Sequence, residues 1–87
     1  MRITYLPRVE KEICKLPKTD QIIIINRIRS LEVGLAISQI KKLSGYSNIY
    51  RIRIGNYRVV FSRLKDRIVI ILIAHRKHIY NLLKRIF

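Results

Sequence analysis

The 87-residue chain carries 19 Lys and Arg against 5 Asp and Glu, a formal net charge of +14. That excess is far beyond what solubility requires and points to a polyanionic partner, nucleic acid first and an acidic protein second. The length suits one domain over residues 1–87 with one modest core, too small for a site between two domains, and a lone Cys14 leaves no intrachain disulfide framework or Cys-based zinc site.

The longest apolar run, IVIILIA (Ile68 to Ala74), is too short to span a bilayer, and MRITYLPRVEK lacks the apolar core of a secretion signal. The basic residues are spread among strand-like segments and do not line one face of an amphipathic helix. A cytoplasmic protein without a membrane partner is therefore expected.

RITYL (Arg2 to Leu6) alternates and is rich in β-formers, so it predicts a short first strand ended by Pro7. In the following PRVEKEICKL, Val9, Ile13 and Leu16 recur at helical spacing, Pro7 suits a first-turn position, and Glu10 and Glu12 lie near the positive helix end. LPK separates this helix from a second one over about Lys18 to Val33, whose apolar stripe is expected at Ile22, Ile25, Ile28 and Leu31 or Glu32. GLAISQIKKLSGYSN (residues 34–48) predicts a connection with one weak amphipathic turn. After Asn48 the period becomes two. Gly55 and Asn56 form a two-residue hairpin turn, and Lys65 and Asp66 turn the chain into RIVIILIA, apolar enough to be buried on both faces and hence central in a sheet. Ile79, Leu82, Leu83 and Ile86 then mark a last helix beginning near Arg76. The order strand, helix, helix, three antiparallel strands, helix defines a small α+β fold.

With Gly55 and Asn56 at the turn, Ile54 pairs with Tyr57, Arg53 with Arg58, and Arg51 with Val60. Tyr50, Ile52, Ile54, Tyr57, Val59 and Phe61 then share one face, and Arg51, Arg53 and Arg58 the other. Like charges directly opposed weaken a sheet by a few tenths up to ~1 kcal/mol, which suggests a missing anion. The choice of Arg over Lys favours phosphate, because the planar guanidinium fork orients a phosphate as well as attracting it. In a helix starting near Arg76, Tyr80 would lie one turn from Arg76 on the same side. His75 and His78 are three apart but have no acidic or Cys companions, so no metal is expected there. Glu10, Glu12, Asp20, Glu32 and Asp66 are scattered over helices and a turn, which leaves no carboxylate cluster for Mg²⁺. A basic, carboxylate-poor site still suits RNA cleavage, because the substrate's own 2′-OH attacks the adjacent phosphate while cations stabilise the added charge.

KKLSGYSNIYRIRIGNYRVVFSRLKDRIVIILIAHRKHIY, together with KLPK between the first two helices, resembles the signature of the RelE/ParE toxin superfamily over nearly the whole chain. The resemblance implies the toxin half of a type II toxin-antitoxin module. It further implies either a metal-free, ribosome-dependent mRNA endoribonuclease of the RelE kind, or a ParE-like or degenerate toxin acting by binding a protein such as gyrase. The nuclease is the expected function, because Arg76 and Tyr80 accompany three hairpin arginines. Its partners would be ribosome, mRNA and an acidic, partly helical antitoxin, with no small-molecule cofactor.

Carried over by position, Arg51 and Arg53 stand where two basic residues of active members contact RNA and assist removal of the 2′-OH proton. Arg58 stands where an arginine steadies the scissile phosphate. Arg76 matches an arginine assigned to phosphate stabilisation and leaving-group protonation, and Tyr80 a tyrosine that positions or stacks on RNA. Lys41, Lys42 and Lys77 join Arg51 and Arg53 as expected RNA-binding cations. Some relatives have lysines at the first two positions, whereas an arginine keeps its proton above pH ~12 and makes a poor base. His75, His78 and Tyr80 are therefore the acid–base candidates.

Overall fold

The computed structural model describes residues 2–33 and 40–86. Strand β1 (Arg2–Tyr5) leads into helix α1 (Pro7–Cys14), then helix α2 (Lys18–Ser30) continued by a 3₁₀ turn (Leu31–Val33). Strands β2 (Ile40–Lys42), β3 (Ile49–Ile54), β4 (Tyr57–Arg63) and β5 (Arg67–His75) follow, and helix α3 (Ile79–Ile86) ends the described chain. The five strands form one sheet in the order β1-β5-β4-β3-β2, with β1 parallel to β5 and the other pairs antiparallel. The α+β order expected from the sequence is present with one added strand.

Pro7 occupies the start of α1, where its missing N–H is no loss, and Glu10 lies in the first turn. Val9 and Ile13 are buried as their spacing predicts, with Leu16 half-buried behind them. Between the helices, the Gln21 side-chain amide donates to the carbonyls of Leu16 (2.8 Å) and Cys14 (3.4 Å), satisfying acceptors that the end of α1 leaves open.

Four consecutive isoleucines leave the phase of α2 undetermined by spacing, and the fold corrects the expected stripe. Ile24, Ile28 and Leu31 face inward and Ile25 is half-buried, whereas Ile22 is 59% exposed. Ile24 and Ile28 lie one turn apart, so burying both puts Ile22 and Ile23 outside.

The sheet separates two apolar clusters. On one face, Ile52, Ile54, Val59, Phe61, Ile68, Ile70 and Ile73 pack with residues of α1 and α2. On the other, Val60 and Leu72 pack with Ile79 and the apolar side of α3. Each fully buried isoleucine contributes about 1.5–3 kcal/mol through removal from water. Strand β5 changes phase where its pairing with β4 shifts from Val60 opposite Leu72 to Phe61 opposite Ile70 with Ile71 as an extra residue, so Ile68 and Ile70 share a face with Ile73 and not with Leu72. The strand is interior as expected, between β1 and β4, although β4 is the middle strand.

Two expectations are corrected by non-local contacts. Residues 40–42 are a strand, since Ile40, Lys41 and Lys42 pair with Ile52, Arg51 and Tyr50. The weak amphipathic turn expected for the connection falls largely on residues 34–39, outside the described residues. The last helix begins at Ile79, three residues later than expected. The β4–β5 ladder runs to Tyr57 opposite His75, so Arg76–His78 are used as a turn out of the sheet, closed by the His78 N–H donating to the His75 carbonyl at 2.9 Å.

Candidate functional site

The site is built on the β3–β4 hairpin. Gly55 has φ +57° while Asn56 keeps a negative φ, the pattern of a II′ turn, whose twist matches the flanking strands. That turn sets the register expected from the sequence: Ile54 opposite Tyr57, Arg53 opposite Arg58, Arg51 opposite Val60. The core holds Ile52, Ile54, Val59 and Phe61 on one side, and Tyr50 stacks on Phe61 with ring centroids 5.7 Å apart. Alternation then forces Arg51, Arg53 and Arg58 onto the opposite side, beside α3.

Arg58 is the most constrained of the three. Its guanidinium donates to the carbonyls of Tyr57 (3.0 Å) and Gly55 (3.3 Å), both at the turn. Partial burial is the largest cause holding Arg58 below its ordinary pKa, and Arg53, Arg51 and Arg76 push the same way while Tyr80 opposes them. Four residues expected at the site therefore act electrostatically on a fifth.

The turn after β5 brings Arg76 in through its backbone. Its N–H donates to the Asn56 carbonyl at 2.7 Å, fastening it to the hairpin tip. Arg76 and Tyr80 do not share a helical face, because α3 starts between them. Tyr80 instead meets Arg51, whose guanidinium donates to the phenol oxygen and lies 5.9 Å from the ring centroid. The Tyr80 side chain remains 54% exposed, with its ring open to a base.

The expected cations divide. Lys41 pairs with Arg51 in register and so joins the arginine face, whereas Lys42 pairs with Tyr50 and belongs to the opposite face. Lys77 lies exposed in the turn, where its backbone N–H donates to His75 Nδ1 at 3.2 Å.

The two histidines are not brought to the arginines. His75 is opposite Tyr57 in the ladder, on the face away from Arg58, with the two rings edge-on at 5.9 Å. His78 lies 6.3 Å from His75, ring to ring. Both line a separate cavity of about 510 Å³ with Glu12, Tyr57, Asn81 and Arg85 over a floor of Leu16, Ile73 and Leu82. Tyr57 also donates to Asp20 at 2.9 Å, tying α2 to β4. That bond is the main cause raising the Tyr57 pKa, followed by burial and the Asp20 charge. Among the described residues, no three His, Cys, Asp or Glu side chains gather at one point as a metal would require.

Hence Arg51, Arg53, Arg58, Arg76 and Tyr80 form one cluster with Lys41 at its edge. Chemically, forked guanidinium donors beside an exposed aromatic ring are the groups that phosphate and a stacked base call for. The position of Lys41 was missed because a three-residue strand has too few alternations to read; its only local sign is the placement of two lysines between Ile40 and Leu43.

Comparison with known proteins agrees with this construction. A family model described as the ParE toxin of the type II toxin-antitoxin system parDE matches residues 3–80. Toxin RelE3 of Methanocaldococcus jannaschii is 50% identical over 42 residues, 48% of this chain and 48% of that protein, so the chain spans about half the length of the curated relative it matches. The fold is similar to that in the crystal structure of the RelB-RelE antitoxin-toxin complex from Methanococcus jannaschii, with TM-score 0.74 and 29% identity over 90% of this chain and 95% of that chain. It is equally similar to the archaeal RelE-RelB complex from Pyrococcus horikoshii OT3, with TM-score 0.75 and 27% identity over 86% of this chain and 93% of that chain. With the hairpin, the sheet and the family match spanning residues 3–80 in agreement, the chain belongs to the RelE/ParE superfamily, as a toxin of the type II toxin-antitoxin class.

Proposed function

We propose that this toxin is a metal-independent endoribonuclease that cuts mRNA on the ribosome in the cytoplasm and is neutralised by a cognate antitoxin. The observation that carries the proposal is the gathering of Arg51, Arg53, Arg58 and Arg76 around one face of the hairpin, with Tyr80 held to Arg51. In the assigned reaction the 2′-oxygen attacks the adjacent phosphorus and the 5′-oxygen leaves, giving a 2′,3′-cyclic phosphate and a free 5′-OH. Negative charge accumulates on the non-bridging oxygens as phosphorus becomes five-coordinate. Arg58 exchanges its bonds to two neutral carbonyls for charged phosphate oxygens, a stronger hydrogen-bonding partner. Arg53 and Arg76 flank it, and the exposed Tyr80 ring stacks against a base beside the cut. The +14 charge supports docking on ribosomal RNA, which steers a basic protein from a distance.

The antitoxin is expected to be acidic, to complement the charge of this chain, and partly helical, as the family resemblance implies; both structural relatives described above are complexes with RelB. The deciding experiment maps mRNA ends after brief induction and repeats the cleavage on ribosomes programmed with a short mRNA. New ends bearing 2′,3′-cyclic phosphate, lost when the nucleotide 5′ of the cut is 2′-deoxy, are the expected result. The family model that matches is that of the ParE toxin, which favours gyrase binding as the second reading. Unchanged mRNA ends with inhibited gyrase supercoiling would establish it instead.

A further inference from the structure

From the register of the edge strand we infer that Lys41 is the general base of this site, accepting the 2′-OH proton that neither Arg51 nor Arg53 can take. The inference rests on the ribonuclease reading and names the proton acceptor that reading lacks. Ile40 pairs with Ile52 and packs against the main core, so the next residue must project from the arginine face. Lys41 is directly opposite Arg51, placing the two Cβ atoms about 4.5–5.5 Å apart. Among the described residues strand β2 is last in the sheet order, and Lys41 is exposed.

Elimination points the same way. A guanidinium is a far poorer proton acceptor than an amine, which sets the four arginines aside as bases and leaves a lysine as the better acceptor among the cations of this face. His75 lies opposite Tyr57 in the β4–β5 ladder, and His75 and His78 both line a separate cavity with Glu12, Tyr57 and side chains of α3. Tyr80 accepts from the Arg51 guanidinium on the α3 side of that arginine, so it competes with Lys41 as the acceptor and Tyr80→Phe belongs in the same assay. Lys41 from β2 and Tyr80 from α3 thus lie on either side of Arg51, and β3 adds Arg53 to the same face. In the reaction the 2′-O–P bond forms as the 2′-OH proton passes to the neutral Lys41 amine. The P–5′-O bond breaks, and solvent at this open site protonates the departing oxygen and later recovers the proton from Lys41.

The test compares wild type, Lys41→Arg, Lys41→Ala and Tyr80→Phe in single-turnover cleavage on programmed ribosomes, with ribosome binding measured in parallel. Lys41→Arg keeps the positive charge, so binding should hold within about threefold while cleavage falls by about 10² or more. Lys41→Ala should be as slow, and added ethylamine should restore part of its rate, increasingly as pH rises, while guanidine at equal concentration should not. Cleavage by Lys41→Arg within about threefold of wild type, or rescue of Lys41→Ala by guanidine as well as by ethylamine, would reduce Lys41 to an electrostatic contact and overturn the assignment. Absence of cleavage by wild type itself would be a different result, because it would remove the ribonuclease reading and not the base alone.

Discussion

Arg58 is the position where the demands of folding and of the proposed phosphate site oppose each other most directly, and Arg58→Ala should separate them. In the folded protein Arg58 is set opposite Arg53 and held below its ordinary pKa by partial burial and by Arg53, Arg51 and Arg76. Relief of that repulsion is worth about 1 kcal/mol at low salt, taking one directly opposed pair and weaker diagonal ones. Against it stand two hydrogen bonds to turn carbonyls that water can replace, each at the low end of the usual range and together about 1 kcal/mol. At ~10 mM salt the variant should therefore melt at or slightly above the wild-type temperature. At ~1 M salt the Debye length shrinks to about 3 Å, the repulsion disappears, and only the lost bonds remain. The stability difference should move by about 1 kcal/mol between the two conditions, or ~4–8 °C for a domain of this size. Circular-dichroism melts at both salts measure it, and ribosome-dependent cleavage should be down by about 10² or more at low salt. A difference in melting temperature that ignores salt would refute the electrostatic account. Undiminished cleavage would refute the phosphate site.

The phase of α2 predicts that Ile28→Ala, at a residue with 0% exposure, costs about 3–4 kcal/mol in urea unfolding, while Ile22→Ala, at 59% exposure, stays within about 0.5 kcal/mol. Comparable losses at the two positions would contradict the packing of that helix. Tyr57→Phe should cost about 1 kcal/mol at pH 7 by removing the bond to Asp20. The raised Tyr57 pKa means that the folded state favours the neutral phenol, so this contribution is complete below the unfolded phenol's value of ~10. It is lost as pH rises through the higher folded value, so the gap between wild type and Tyr57→Phe should narrow in unfolding curves taken at pH ~11; a constant gap would show that the hydroxyl contributes nothing through its proton.

Short-range rules carried the hairpin from sequence alone. Gly55 and Asn56 define the turn, the turn defines the register, and the register puts Arg51, Arg53 and Arg58 on one face. Helix α1 was equally legible, because Val9 and Ile13 offer only one stripe to bury. The run of isoleucines in α2 offered several stripes, and only contact with the sheet chose Ile24 and Ile28 over Ile22.

Other features depend on partners distant in the chain. Strand β1 pairs with residues more than sixty positions away, Arg2 with Arg67 through Tyr5 with Ile70, and no local pattern encodes that parallel ladder. Three residues become β2 only because β3 presents an edge to them, and this pairing sets Lys41 beside Arg51. The histidines looked like natural acid–base groups by chemistry, yet the ladder through Tyr57 and His75 turns His75 to the other face. Tyr80 is joined to Arg51 because α3 starts after a turn fastened to Asn56. Residue type and period thus determine which face of one element is charged, whereas the gathering of several such faces at one place on the surface is decided by long-range pairing and by competition for burial.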